Sequence, residues 1–248
     1  MRYFIKLRFK GTRYHGWQIQ DNANAVQQTV NHALSLVLRE KIETLGCGRT
    51  DTGVHASFFI AHFDVKREIA DCPAVLGKLA SLKIPDIDFM EFIPVKENAN
   101  ARFDAVSRTY EYHIIRTRNP FLMDFAYYLY GPLEVKKMEI VTTELIGLKD
   151  FGAFSKSRTQ VKTNLCEITN AKWEWRDEKL VFTITADRFL RNMVRAIVGT
   201  LIEIGQGKRD ASDFIKVIES RRRSRAGMSV PACGLFLTNV KYPADIFI

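Results

Sequence analysis

Gly48-Arg49-Thr50-Asp51-Thr52-Gly53-Val54-His55-Ala56 is the stretch on which the fold reading turns. A carboxylate stands between two hydroxyl residues, with glycines at 48 and 53 and a guanidinium two positions back, and directly downstream Phe58 to Val65 reads as a β-strand. The segment therefore falls at a loop-to-strand junction, and loops held by a rigid sheet are where catalytic residues gather. Upstream, Asn24 is the expected N-cap of a helix reaching about Lys41, in which Val26, Val30, Ala33, Leu34, Val37 and Leu38 keep a helical period. Further upstream, Arg2 to Lys10 alternates, with Tyr3, Ile5, Leu7 and Phe9 on one face and Phe4, Lys6, Arg8 and Lys10 on the other. One face is expected to pack and the other to be basic.

Downstream, strands are expected at Arg108 to Arg116 and Tyr127 to Tyr130, then a helix from about Val135 to Leu148. Cys166 to Trp175 and Leu180 to Ala186 read as a hairpin closed by Arg176-Asp177-Glu178-Lys179. A helix from about Phe189 to Ile204 presents Leu190, Met193, Val194, Ile197, Val198 and Leu201 to the core and ends at Gly205 and Gly207. Asp210 or Ser212 caps a short helix through Ile218, and Gly234 to Tyr242 forms a last strand. Strands with helices stacked on them in each half make an α+β pattern. A boundary near residue 105 divides an N-terminal subdomain, 1–105, from a C-terminal one, 106–248.

The 248 residues carry 37 Lys plus Arg against 28 Asp plus Glu, a net charge of +9. That balance suits a polyanionic partner, nucleic acid before anionic membrane. The first ten residues alternate apolar with basic and lack a signal-peptide core, and no apolar run approaches the roughly 20 residues needed to span a bilayer, so a soluble cytoplasmic protein is expected. Cys47, Cys72, Cys166 and Cys233 form no C-x-x-C pair and read as small buried hydrophobes. His55 and His62 match no zinc spacing, so no metal is expected.

Arg49 two positions from Asp51 keeps a carboxylate ionised even when partly buried, so Asp51 suits a nucleophile or a base. An ordinary turn aspartate is the bland alternative. The glycine spacing fits neither a phosphate-binding loop nor a dinucleotide fingerprint. Asp-Thr-Gly is also the tripeptide of aspartic proteases, whose chemistry needs two carboxylates sharing a proton; no second copy exists here, and an adjacent arginine opposes proton sharing.

The full nonapeptide closely resembles the active-site signature of the TruA family of tRNA pseudouridine synthases. Further similarities follow in order: His15-Gly16-Trp17-Gln18, Ala101-Arg102-Phe103 with Arg108-Thr109-Tyr110-Glu111-Tyr112, Asp150-Phe151 with Phe154-Ser155, Phe189 to Arg195, and Pro231 to Leu235. Phe9-Lys10-Gly11 departs from the family's usual Tyr-Asp-Gly. The resemblance implies the pseudouridine synthase fold, two ferredoxin-like halves sharing a mostly antiparallel sheet with a basic central cleft. It implies isomerisation of uridine to pseudouridine at positions 38, 39 and 40 in the anticodon stem and loop of tRNAs, without cofactor or metal, by a homodimer. By the same resemblance Asp51 is the catalytic carboxylate, Tyr110 the stacking tyrosine, Arg195 the arginine that pairs with the aspartate, and Arg49 the side chain that fills the space left by a flipped base. Arg188, Arg191 and Arg195, at helical spacing, are expected to line one face toward the substrate. Arg8 and Arg13, with Lys6, Lys10 and the cluster Arg221, Arg222, Arg223 and Arg225, are candidates to hold RNA phosphates. A non-catalytic RNA-binding protein that uses the same basic surface is the rival reading.

Overall fold

The computed structural model describes residues 1–156 and 163–248. They form two compact units, Met1–Val106 with Phe236–Ile248, and Ser107–Leu235. Both are α+β with mostly antiparallel sheets.

In the first unit, β1 (Arg2–Phe9) lies between β3 (His55–Asp64) and β4 (Ile87–Val95), antiparallel to both. A two-residue strand, β2 (Leu45–Gly46), also pairs with β3. Ile5 and Leu7 are fully buried, and each stabilises the unit by about 1.5–3 kcal/mol relative to exposure. The opposite face of β1 is not uniformly basic. Phe4 on that face is buried against Tyr242, ring centroids 5.1 Å apart, and interrupts the charged series Arg2, Lys6 and Arg8.

Helix α1 (Val26–Leu38) buries Val26, Val30, Ala33 and Leu34, but Asn24 does not cap it. The Gly16 and Trp17 carbonyls accept the Val26 and Gln27 N–H groups instead, at 3.1 and 3.0 Å. Backbone thus satisfies donors that a side-chain cap would otherwise take. Three elements were not expected, the short β2, α2 (Cys72–Ser81), capped by the Asp71 side chain, and β4. β4 contains Pro94, which is tolerated because β4 is an edge strand.

In the second unit, β5 (Ser107–Ile115) pairs with the short β6 (Tyr127–Tyr128) and with β8 (Lys179–Ala186), and β8 forms a hairpin with β7 (Ile168–Arg176). The hairpin closes through Asp177-Glu178, with Asp177 at φ 52°. Helix α3 (Val135–Thr143) packs on β7 and on α4 (Met193–Gly205), which is buried along nearly its whole length; α5 (Asp213–Ser220) follows. The last strand, β9 (Leu235–Lys241), was expected in the 106–248 subdomain. Its residues from Phe236 onward belong to the first unit, because Phe236 and Leu237 pair in parallel with His55 and Ala56.

No helix among the described residues is long and apolar enough to cross a membrane.

Candidate active site

Asp51 is half-buried, in a loop whose shape comes from its neighbours. The Val54 N–H closes a turn onto the Asp51 carbonyl at 3.1 Å, and the Gly53 N–H donates to the Tyr14 carbonyl at 3.2 Å. Gly53 sits at φ 78°, a conformation that glycine adopts without strain. Two glycines from the N-terminal motif press against the loop from behind. A Cβ on Gly16 would lie 2.1 Å from the Thr50 carbonyl oxygen, and one on Gly11 2.0 Å from that of Val54. The Gly11 N–H also donates to Nδ1 of buried His55 at 3.1 Å, and the His55 ring stacks on Phe236 with centroids 4.7 Å apart.

Trp17 completes the cradle, buried against Phe59 with centroids 4.2 Å apart. Buried Gln27 ties it to the rest of the unit: its Oε1 accepts from the Ile19 N–H and from Gln18 Nε2, both at 3.0 Å, and its Nε2 donates to the Thr44 carbonyl at 2.6 Å. A buried amide hydrogen-bonded through both its oxygen and its nitrogen rigidifies its surroundings. Arg49 is exposed beside this loop, and Thr50 is buried with no partner for its hydroxyl among the described residues. The arrangement presents one carboxylate on a turn that several segments hold in place, which is what a nucleophile or base requires.

Both histidines of this region serve as backbone acceptors. Nδ1 of His62 accepts the Ala101 N–H at 3.0 Å, as Nδ1 of His55 accepts that of Gly11. Burial pushes the His62 imidazole down to about 4, and Arg2 nearby adds to the effect. Among the described residues no three His, Cys, Asp or Glu side chains gather in a group that could hold a metal ion.

Tyr110, Arg188, Arg191 and Arg195 lie in the second unit. Tyr110 and Tyr112 share a face of β5 yet differ in setting. Tyr112 is fully buried and its hydroxyl donates to the Pro231 carbonyl at 2.8 Å, whereas Tyr110 meets Phe189 edge to face at 5.1 Å. Arg195 is half-buried on the first turn of α4. Its Nε donates to the Val230 carbonyl at 2.7 Å, and its own carbonyl accepts the Val230 N–H at 3.2 Å. The Nε bond engages one edge of the guanidinium, and the backbone bond ties the first turn of α4 to Val230.

Arg188 and Arg191 do not share a helical face with Arg195. They precede α4, and Asn192 at φ 67° breaks the chain direction between them and the helix. Arg188 donates to the Thr163 carbonyl at 3.4 Å, and Arg191 is exposed. On the strand face Arg8 pairs with Asp88 at 2.9 Å and Lys6 with Glu91 at 3.6 Å, and in the turn that follows Arg13 pairs with Asp86. Arg221 pairs with Asp150 at 3.0 Å.

Sequence reasoning missed the contacts behind Arg195 and read Arg223 as a candidate to hold RNA phosphates rather than as part of them. Segment 226–231 lies across α4 so closely that a Cβ on Gly199 would meet the Met228 carbonyl oxygen at 1.8 Å. Arg223 Nη1 donates to the Gly227 carbonyl at 3.0 Å and Nη2 to the Ser229 hydroxyl at 2.9 Å, and Asn192 Nδ2 reaches the same hydroxyl at 2.5 Å. The Gly227 N–H donates to Thr200 Oγ1 at 2.9 Å. Gly227, Pro231 and Gly234 are the local signals of a constrained segment.

Residues 141–243 match a family described as tRNA pseudouridine synthase. The chain is 50% identical over 247 residues to the tRNA pseudouridine synthase A of Bacteroides fragilis, covering 99% of this chain and 98% of that one. It is 46% identical over 255 residues to that of Porphyromonas gingivalis, covering 100% and 99%. To that of Acetivibrio thermocellus it is 37% identical over 238 residues, covering 95% and 97%. With identity at these levels running almost end to end, and with the Asp51 segment and its cradle inside the matched length, the chain belongs to the tRNA pseudouridine synthase A family.

Proposed function

We propose that this protein is a tRNA pseudouridine synthase, an isomerase acting on uridines 38, 39 and 40 in the anticodon stem-loop region of tRNA in the cytoplasm. The C1′–N1 glycosidic bond breaks, the detached uracil rotates, and C5 joins C1′. The C5 proton departs and N1 takes one up, so that no cofactor is consumed. Asp51 is the nucleophile or base. Arg195 holds it as an anion, and Tyr110 stacks on the base.

A stacked uridine is out of reach, so it must flip out at a cost of about a few kcal/mol; Arg49, exposed beside Asp51, fills the vacated space. Arg188 and Arg191 contact the substrate near α4. Arg8 and Arg13 hold phosphates by exchanging their carboxylate partners for the RNA. We also assign a homodimer, which sedimentation of the purified protein checks. The observation that carries this reading is the half-buried Asp51 carboxylate on a turn braced by Gly11, Gly16, Gly53 and Gln27.

The test uses an unmodified tRNA transcript carrying tritium at uridine C5. Wild type releases tritium and forms pseudouridine; Asp51→Asn binds the transcript but releases none. Undiminished release by Asp51→Asn refutes the assignment of Asp51. Absence of product with wild type leaves the non-catalytic RNA-binding reading. Arg195→Lys keeps a charge but loses the fork, and turnover is expected to fall about a hundredfold.

A further inference from the structure

The basic run from Arg221 to Arg225 follows α5, and its backbone sorts its side chains onto different partners. Arg221 ends the helix in the left-handed region, at φ 52°, and pairs with Asp150 at 3.0 Å. The Arg222 N–H donates to Ser220 Oγ at 3.2 Å, and the Arg225 N–H to the Arg222 carbonyl at 3.0 Å, which closes a turn around Arg223 and Ser224. Arg223 is committed to segment 226–231, the strap across α4, through the Gly227 carbonyl and the Ser229 hydroxyl. Arg222 and Arg225, at the two ends of the turn, line a cavity of about 510 Å³ instead. The turn that carries them is tied down on both sides, so little ordering is left to oppose a ligand.

Two further cations line the same cavity, and each is already balanced. Lys216 pairs with Asp213 at 2.9 Å, and Arg209 places Nε and Nη2 on Glu203 Oε2 at 3.1 and 2.9 Å. Arg222 and Arg225 are exposed and make no ion pair among the described residues, so their charges are left for an anion. The lining has no aromatic ring to stack on a base, and its apolar side chain, Val217, is buried. Such a site recognises charge rather than a base or an apolar group. Its volume falls in the range of small-molecule sites. Two guanidinium forks beside an ammonium in one concavity match adjacent phosphates: each fork takes two oxygens of one group, and Lys216 adds a point charge.

We propose that the cavity beside α5 is a binding site for a chain of adjacent phosphates, gripped by Arg222 and Arg225. The same chemistry is offered by a free polyphosphate, inorganic or the tail of a nucleoside triphosphate, and by consecutive backbone phosphates of RNA. The site lies wholly in the second unit and requires neither Asp51 nor turnover. The bonds that shape the turn are made by backbone groups and by the side chains of Ser220, Arg221 and Arg223, so replacing Arg222 and Arg225 leaves them in place.

The full-length protein is titrated by calorimetry with sodium tripolyphosphate, with orthophosphate and with ATP. Wild type is expected to bind tripolyphosphate about tenfold or more tighter than orthophosphate, and ATP about as tightly as tripolyphosphate, since no ring meets the base. Arg222→Gln with Arg225→Gln should weaken tripolyphosphate binding by about tenfold or more. Lys137→Gln with Lys172→Gln removes the same charge from residues of the second unit that hold Glu134 and Glu174, and should leave it unchanged. Arg222→Lys with Arg225→Lys keeps the charge without the forks and should recover only part of the loss. Absence of tripolyphosphate binding to wild type overturns the proposal. So does equal weakening by the two glutamine pairs, full recovery by the lysine pair, or tripolyphosphate bound no tighter than orthophosphate. Repeating the wild-type titration at saturating unmodified tRNA transcript separates the sources. Undiminished binding assigns the cavity to a free polyphosphate, and displacement assigns it to the backbone phosphates of RNA.

Discussion

Gly16 is a residue whose value lies in what it lacks. At φ 85°, with the Thr50 carbonyl oxygen 2.1 Å from where a Cβ would stand, it lets the His15-Gly16-Trp17 backbone support the Asp51 loop and receive the start of α1. Gly16→Ala is therefore expected to cost more than about 2 kcal/mol, from the φ penalty and the clash together. Turnover should fall further than the folded fraction does, because the displaced atoms belong to the residue next to Asp51; urea midpoints and kcat measured on one preparation separate the effects. His62 yields a pH prediction. Its ordinary value near 6.5 drops to about 4 in the fold, chiefly through burial, with Arg2 lowering it further and Asp64 and Asp104 opposing. The unfolded chain therefore binds the extra proton first. The contribution is fully present above about pH 6.5 and is lost as pH falls toward 4, of order 1–2 kcal/mol after solvent screening. Thermal stability should decline across that window in wild type, and His62→Gln should flatten the decline. At this scale the sequence is legible where chemistry is local, as in the Asp51 segment. Strand alternation puts Tyr110 and Tyr112 on one face but carries no sign that the Tyr112 hydroxyl is committed to Pro231, a hydrogen bond across 119 residues.

Among the elements, α4 is legible from its apolar period, but that period starts the helix four residues early. Phe189 and Leu190 continue the period, and only the left-handed turn at Asn192 separates them from the helix. A period reports which side chains are apolar, not whether the backbone between them is helical. β4 is illegible for the opposite reason, because Pro94 argues against a strand unless the strand is known to be at an edge. The strap over α4 has no pattern to read, since its bonds reach Asn192, Arg195, Thr200 and Arg223 from a stretch without period. Its mechanical role is testable. Arg223 latches two points of the strap, so Arg223→Ala should raise hydrogen exchange at the Gly227 and Val230 amides by about tenfold, the loss of roughly 1.4 kcal/mol of local protection. Amides in the centre of β5 should not change. Exchange that rises equally everywhere would mean that Arg223 supports the second unit globally rather than the seat of Arg195.

On the scale of the whole molecule, the chain leaves the first unit at Ser107 and returns to it at Phe236. No local pattern announces that return, because two residue pairs in parallel join strands some 180 positions apart. Charge is distributed in a way the net value of +9 equally conceals. Lys6, Arg8 and Arg13 face Glu91, Asp88 and Asp86, so a phosphate arriving there must displace or tolerate a carboxylate, and the pairs themselves are worth about 0–1 kcal/mol each. A cavity of about 510 Å³ in the second unit differs: Arg209, Lys216, Arg222 and Arg225 line it against the single carboxylate of Asp213. Arg209 pairs with Glu203 and Lys216 with Asp213, while Arg222 and Arg225 make no ion pair among the described residues. These two guanidiniums can meet phosphate without surrendering a partner. The double charge reversal Arg222→Glu with Arg225→Glu should therefore weaken binding of an unmodified tRNA transcript more than Arg8→Glu with Arg13→Glu does. It should also flatten the dependence of log Kd on log salt, by about 0.7–0.9 for each phosphate that the variant no longer neutralises. Titrations at several salt concentrations distinguish the cases. If the slope is unchanged and only the intercept moves, the two arginines act through the general field of the protein; equal effects from both double variants would show that partner exchange at Arg8 and Arg13 costs nothing.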